Sequence, residues 1–350
     1  MTTGDSAFSS DDISPVGTQP AAVGIIANPV SGKDIRRLVA HGSVFDNQEK
    51  VRIVRRLLMA LSALGIPEVL FMPDEYGIVE RAAGGCPASI RRTPAPLKME
   101  NHQDDSTRSA AWMASRNVGC IVVLGGDGTC RAVAKASQMV PLLPISTGTN
   151  NVFPYLIEAT VAGLAAGLIA SGRVPPQSGL YRSCRLEVVE DERLVDIALV
   201  DVAVVNSPFI AARAIWDIRE VTQIFLTRAR PDAIGLSAIG GQLYSIDPQE
   251  PRGLYLALGP DGRRHVLAPI APGLMQTVCL CDEQILVVGQ QIEVALDCCV
   301  LALDGEREVE IPKGRRVSVR LSDEGPFVVD VSHTMQYAQT HGLLCTPHCG

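Results

Sequence analysis

Basic residues are the minority charge in this sequence: Lys and Arg number 31 against 38 Asp and Glu, for a net charge of −7 and a pI near 5.4. Nucleic acids and anionic membranes select for clustered cations, so neither is expected as a partner. Any phosphate site must be built locally. A basic-then-apolar leader is lacking at Met1-Thr-Thr-Gly-Asp-Ser6, so no secretory segment is expected. A clean membrane span is lacking too. The most apolar stretch, Val152–Gly172, carries Pro154, Glu158, Gly163 and Gly167 and runs into Arg173, which predicts a buried helix. Cysteine is not scarce, at ten, but without a leader the thiols are expected to be reduced and cytoplasmic. Cys279, Cys281, Cys298 and Cys299 lie in apolar stretches and are expected to behave as small buried hydrophobes. His341, Cys345, His348 and Cys349 lack the Cys-x2-Cys pairing of structural zinc sites and are assigned no metal. His265 reads as a solvated turn residue. No internal repeat is present.

What is there is a globular chain. Its 350 residues suit about two domains, and a 47% hydrophobic composition supplies the cores. Residues 1–20, rich in Ser, Asp, Thr, Gly and Pro, are expected to form a disordered tail. Residues 21–178 alternate apolar runs with helical periodicity, which predicts an α/β nucleotide-binding domain with a doubly wound, Rossmann-like parallel sheet. Strands are expected at Ala22–Ala27, Glu68–Met72, Cys120–Leu124 and Leu142–Ile145. Helices are expected at Val51–Leu64, Asp104–Ser115 and Cys130–Gln138, and from Val152. Residues 84–103 read as an irregular excursion. Residues 179–332 switch to short strand-like runs between Asp-Gly and Pro-Gly turns, which predicts a β-rich domain interrupted by a helix near Ala211–Arg228. Residues 333–350 read as a C-terminal tail.

Two familiar phosphate loops are missing. A Walker loop ending at Gly32-Lys33 would need glycine at position 27, where Ala27 stands, and Ser or Thr at position 34, where Asp34 stands. The dinucleotide fingerprint begins at Gly126 and Gly128, but its third glycine is Arg131. What remains is Gly125-Gly-Asp-Gly-Thr129 at the carboxyl end of an apolar strand and the start of a helix. Glycines there allow close backbone approach, and the helix start offers free N–H donors. Asp127 is the anomaly. A carboxylate beside phosphates repels them unless it faces a metal ion or accepts a proton from an attacking hydroxyl. Three weaker elements accompany it. Asn28-Pro-Val-Ser-Gly-Lys33 is either a phosphate-reading turn or a basic surface turn. Ser146-Thr-Gly-Thr-Asn-Asn151 opens a helix with donors suited to anion binding or to capping. Asp304-Gly-Glu306 alone reads as a tight hairpin.

With these residues the chain resembles the NAD kinase and diacylglycerol kinase superfamily over about residues 22–320. Within it, the chain looks most like the acetoin-catabolism X proteins. The resemblance implies an α/β nucleotide-binding domain with a β-rich second domain. It implies an ATP-dependent kinase in which Asp127 is the base for the acceptor hydroxyl. Nucleotide contacts are implied for Asn28, Pro29, Ser31, Gly32, Lys33, Gly125, Gly126, Gly128, Thr129, Thr147, Gly148, Thr149, Asn150 and Asn151, with Mg2+ neutralising the triphosphate. Second-domain contacts are implied for Asp201, Asp304 and Glu306. The acceptor is NAD or a related small molecule. A lipid kinase and a nucleotide-binding accessory protein without turnover are the alternatives. The resemblance also implies a capacity to form homo-oligomers. Two departures fall on the acceptor side: Val200-Asp201 stands where NAD kinases carry an Asn-acidic pair, and Pro231–Leu236 stands where they carry Thr-Gly-Ser-Thr-Ala-Tyr.

Overall fold

The computed structural model describes residues 22–31, 46–86, 89–148, 150–207 and 218–345. The expected tail at 1–20 and the residues Gly32, Lys33 and Thr149 lie outside that set. The first half alternates strand and helix: β1 (Val23–Ala27), α1 (Asn47–Ala63), β2 (Glu68–Phe71), α2 (Ile78–Ala82), β3 (Arg91–Pro94), α3 (Asp104–Ser115), β4 (Cys120–Gly125), α4 (Asp127–Ala134), β5 (Leu142–Ser146), α5 (Ala159–Ala170) and α6 (Pro176–Gly179). Five of these strands pair in parallel in the order β3-β2-β1-β4-β5. β1 and β4 are buried along their whole length, as strands covered on both faces must be. The winding direction reverses between β1 and β4. An open α/β sheet has its ligand crevice outside the carboxyl ends of the strands at such a point.

The second half is β-rich: β6 (Leu180–Arg182), β7 (Arg185–Glu190), β8 (Arg193–Ala198), β9 (Asp201–Val205), β10 (Val221–Leu226), α7 (Leu236–Gly241), β11 (Arg252–Leu258), β12 (Arg264–Ala271), β13 (Leu274–Val287), β14 (Gln291–Glu293), β15 (Cys299–Leu303), β16 (Glu306–Ile311), β17 (Val317–Ser322), β18 (Phe327–Val329) and α8 (Val331–Thr340). An antiparallel sheet of order β12-β13-β11-β10-β9-β15-β16 faces a smaller one, β14-β17-β7-β8, across a core of Leu186, Val188, Val204, Phe225, Leu301 and Leu321. Another core joins the halves: Leu199 and Val200 pack with Ile26, Val123, Cys130 and Phe153.

Several expectations are corrected. The stretch 84–103 contains β3, an edge strand beside β2 whose side chains are mostly exposed, so its polar composition hid it. The helix expected near Ala211–Arg228 is replaced over Val221–Leu226 by β10, a central strand buried on both faces; such a run has no period-2 signature. Residues 208–217 of that stretch lie outside the described set. The helix expected from Val152 begins at Ala159, capped by Glu158, whose carboxylate accepts from the N–H groups of Thr160 and Val161. The C-terminal tail is, over Val331–Thr340, helix α8, capped by Asp330 and buried at Thr334 and Ala338. β6 and β18 leave the β-rich half and extend the parallel sheet beyond β5, so the chain returns to its first half before ending. Cys281 and Cys298 are exposed and Cys279 is partly so, because the strand and loop that carry them have one face in solvent. His265 is exposed but lies in β12 rather than a turn. Among the described residues no helix is long and apolar enough to cross a membrane.

Candidate active site

Three loops converge beyond the carboxyl ends of β1, β4 and β5. The Asn28 turn is tied to the strand next to it by its N–H, which donates to the Leu124 carbonyl at 3.1 Å. Asn28 Nδ2 donates to Thr129 Oγ1 at 3.0 Å, and Ser31 Oγ lies 3.0 Å from Thr147 Oγ1. These two contacts join the turn after β1 to the loops after β4 and β5. Asn28 also accepts from the Val30 N–H through Oδ1 at 2.9 Å, which fixes the turn around Pro29. Beneath it Lys50 of α1 is fully buried. Its Nζ donates to the carbonyls of Asn28 at 2.8 Å and Ser31 at 2.7 Å and to Asn47 Oδ1 at 3.1 Å. The turn is held from below by a cation.

The glycines of the second loop have a steric reason. A Cβ on Gly125 would stand 2.5 Å from the Thr129 Cβ, and one on Gly126 would stand 2.7 Å from Asn151 Oδ1. Asn151 in turn donates through Nδ2 to Ser146 Oγ at 2.7 Å, and the Ser146 hydroxyl donates to the Gly148 carbonyl at 2.8 Å. Asn151 thus braces the loop after β5 instead of capping α5. Asn150 lies beside it in the same loop. Gly126 is the N-cap of α4 and, as a glycine, offers no side chain to cap the first N–H groups of the helix.

Asp127 begins α4 and is half-buried as a residue. Its Oδ1 accepts from the Phe153 N–H at 2.7 Å, and both carboxyl oxygens accept from the Val152 N–H at 3.1 Å. Burial, followed by the nearby charge of Asp304, pushes its carboxyl up to about 7, against the pull of those N–H groups and of Arg228. The same surroundings raise the Cys130 thiol well above its ordinary value, chiefly through burial, so it is a packing residue and not a nucleophile at neutral pH.

The second domain delivers the hairpin between β15 and β16. Asp304 and Gly305 have φ of 52° and 79°, the left-handed pair that a two-residue hairpin turn requires. The Asp304 side chain turns back into the protein and accepts from the N–H groups of Leu199, Val200 and Asp201 at 2.7–3.3 Å. Asp201, buried at the start of β9, returns its carbonyl to the Asp304 N–H at 2.9 Å. Of the two acidic residues of the hairpin, Glu306 is the one beside the glycine loop: its carboxylate would lie 3.7 Å from a Cβ on Gly128. Asp304 instead faces Arg131 of α4, whose Nε stands 3.6 Å from its Oδ2 with both side chains fully buried. Arg131 also pairs with Glu308 at 2.9 Å and Asp196 at 3.3 Å, and Lys135 pairs with Asp196 at 2.7 Å. These ion pairs fasten α4 to the second domain.

The described residues implied by the resemblance are thus brought to one place, and three structural cations there were not singled out from the sequence. Lys50 interrupts the apolar stripe Val54, Leu57, Leu61 at helical spacing, and Arg131 interrupts Cys130, Ala132, Val133. A charge set inside such a stripe was the available signal. Arg228, after β10, carried no comparable one.

Comparison with known proteins divides the chain along the same lines. Residues 23–174 match the ATP-NAD kinase N-terminal domain, and residues 184–324 match the acetoin catabolism protein X C-terminal domain. The acetoin catabolism protein X of Cupriavidus necator is 39% identical over 358 aligned positions, covering 97% of each chain. Two solved structures of a Bacillus anthracis protein assigned as a diacylglycerol kinase are 12% and 13% identical. They cover 88% of this chain and 97% and 98% of their own, with TM-scores of 0.45 and 0.44. On the full-length match, the chain belongs to the acetoin catabolism protein X family and carries a kinase-like α/β domain of the ATP-NAD kinase type joined to that family's own β-rich domain.

Proposed function

We propose that this protein is an ATP-dependent phosphotransferase acting on a hydroxyl of a small molecule, either NAD or a hydroxy compound connected with acetoin breakdown. The observation that carries the reading is Asp127: a carboxyl at a helix start, directly after Gly125 and Gly126 where an added Cβ would collide, and poised to exchange a proton near neutrality. In the reaction the acceptor O–H gives its proton to a carboxyl oxygen of Asp127. The acceptor oxygen bonds to the γ-phosphorus as the bond from that phosphorus to the bridging oxygen breaks, and ADP leaves. The N–H groups at the start of α4 and of the glycine loop are the donors suited to the triphosphate. The donor substrate is taken as the Mg2+ complex of ATP. In this reading the ion is carried largely by the phosphates.

A second reading is a nucleotide-binding accessory protein without turnover. It is favoured by the engagement of both Asp127 oxygens with backbone N–H groups, as in a purely structural anchor. One experiment separates the two. Purified protein is incubated with Mg2+ and ATP against NAD, NADH, acetoin-related hydroxy compounds and diacylglycerol, and products are identified by mass. The kinase reading expects ADP formation dependent on one acceptor, with a rate that rises with pH through about 7 as Asp127 loses its proton. Asp127→Asn should lower that rate by about 10²- to 10⁴-fold while nucleotide binding stays measurable by calorimetry. Unchanged turnover in the variant would sink the assignment of Asp127. Nucleotide binding with no phosphorylated product from any acceptor would favour the accessory protein.

A further inference from the structure

Arg228 is 1% exposed, yet among the described residues no carboxylate is one of its hydrogen-bond partners. Its Nε donates to Thr227 Oγ1 at 3.3 Å, and its Nη2 donates to Ser183 Oγ at 2.9 Å and to the Leu199 carbonyl at 3.4 Å. Its Nη1 has no hydrogen-bond partner among the described residues. The guanidinium carbon stands 4.8 Å from the centre of the Phe153 ring. A guanidinium removed from water into neutral surroundings is unfavourable unless it answers a charge nearby.

Two of the residues it touches, Phe153 and Leu199, indicate which charge. Phe153 is the residue whose N–H grips Asp127 at 2.7 Å, and Leu199 is the residue whose N–H grips Asp304 at 3.0 and 3.1 Å. One grip comes from the loop after β5 and the other from the second domain, and Arg228 stands behind both. Phe153, Cys130, Tyr181 and Leu199 belong to the core that joins the two halves, so the arginine sits where neither half can shift without moving it.

We propose that Arg228 is a positioning residue for phosphoryl transfer: its guanidinium fixes Phe153 and Leu199, and so the N–H groups that orient Asp127 and Asp304, and supplies the counter-charge for the Asp127 carboxylate. The inference rests on the kinase reading for its catalytic meaning but not for its test. Among the described residues, the charged and titratable groups around Asp127 include Asp304 on the β15–β16 turn with its partner Arg131 on α4, Cys130 on α4, Glu306 against Gly128, and Arg228 itself. Asp304 acts against ionisation of Asp127 and Arg228 acts for it. Removing the arginine therefore makes Asp127 a weaker acid, an effect that loss of packing alone does not dictate.

The test is a titration of the intact protein carrying 13C-carboxyl aspartate, followed by NMR, with the Asp127 signal assigned by its loss in Asp127→Asn. In Arg228→Met and in Arg228→Gln, the latter keeping a planar donor without charge, the Asp127 midpoint is expected to rise by at least about one pH unit. Arg228→Lys keeps the charge and loses the flat stack on Phe153. There the midpoint should stay within about half a unit of the wild type, while the Phe153 and Leu199 amides exchange at least about tenfold faster. An unchanged midpoint in a folded neutral variant overturns the proposal. If neither neutral variant folds, unchanged amide exchange in Arg228→Lys overturns it. No substrate is needed for these readings, so a wild-type protein without turnover would refute the kinase and leave the titration standing, and the converse result would refute this role of Arg228 alone.

Discussion

Lys50 shows how much of the site rests on a single side chain that faces no solvent. Its ammonium is the donor for two carbonyls of the Asn28–Ser31 turn, and a buried carbonyl deprived of its donor keeps the full cost of desolvation. Lys50→Met preserves the apolar stem and removes the three hydrogen bonds. The expected loss is about 1–3 kcal/mol of stability, seen as a lower urea midpoint. Nucleotide affinity should weaken as well, because the contacts from Asn28 to Thr129 and from Ser31 to Thr147 depend on the turn keeping its place. A midpoint equal to that of the wild type would show that the turn holds itself. Asp127 itself was legible in the sequence, since a carboxylate among glycines at a strand end has few bland explanations. Lys50 left only a weak trace, a charge within the apolar stripe of α1, and what it holds is seen only with the turn above it in place.

At the scale of elements, the β15–β16 hairpin carries two acidic residues with different work. The family resemblance implied second-domain contacts for both Asp304 and Glu306, whereas the left-handed turn sends them apart. Asp304 goes inward to three backbone N–H groups, and Glu306 goes toward Gly128. No residue pattern encodes that split, because it depends on the pairing register Leu303 to Glu306 and on where β9 begins. Asp304→Ala strips three buried donors and places alanine at positive φ, so a loss of about 3–5 kcal/mol is expected in urea unfolding. Asp304→Asn keeps one acceptor and tolerates the turn, and should lose less than about half as much. It also removes a negative neighbour of Asp127. Since Asp304 holds the Asp127 carboxyl up, the acid limb of the rate profile should move to lower pH in Asp304→Asn, and a limb that stays in place would show that the two carboxyls do not communicate. The strands β1, β4 and β5 and helix α3 were readable because both-face burial and amphipathic spacing leave clear patterns. β3 and β10 failed for different reasons: β3 is polar and mostly exposed, and β10, Val221-Thr-Gln-Ile-Phe-Leu226, mixes polar and apolar residues without the alternation of a half-buried strand.

For the molecule as a whole, the acid at its centre is a debt to folding. Asp127 titrates near 7 in the folded chain and near the ordinary aspartate value of about 3.9 when unfolded. Below about pH 4 the carboxyl is protonated in both states and nothing is lost. Between about 4 and 7 the unfolded chain sheds the proton while the folded one retains it, so stability falls as pH rises; above 7 the loss is complete and constant. Asp127 is only half-buried as a residue, so water screens part of this cost, and about 1–3 kcal/mol remains. Asp127→Asn, which cannot ionise, should therefore be more stable than the wild type at pH 8 by about that amount, with the difference fading toward pH 4. Urea unfolding of the pair at several pH values reads it directly. An asparagine variant less stable than the wild type at pH 8 would mean that the carboxylate serves chiefly as an acceptor for Val152 and Phe153, which is the behaviour of an anchor. The expected sign is the behaviour of a proton acceptor kept in an unfavourable place, and the ion pairs from α4 to Asp196, Asp304 and Glu308 add to the shared core in holding the two halves together around it.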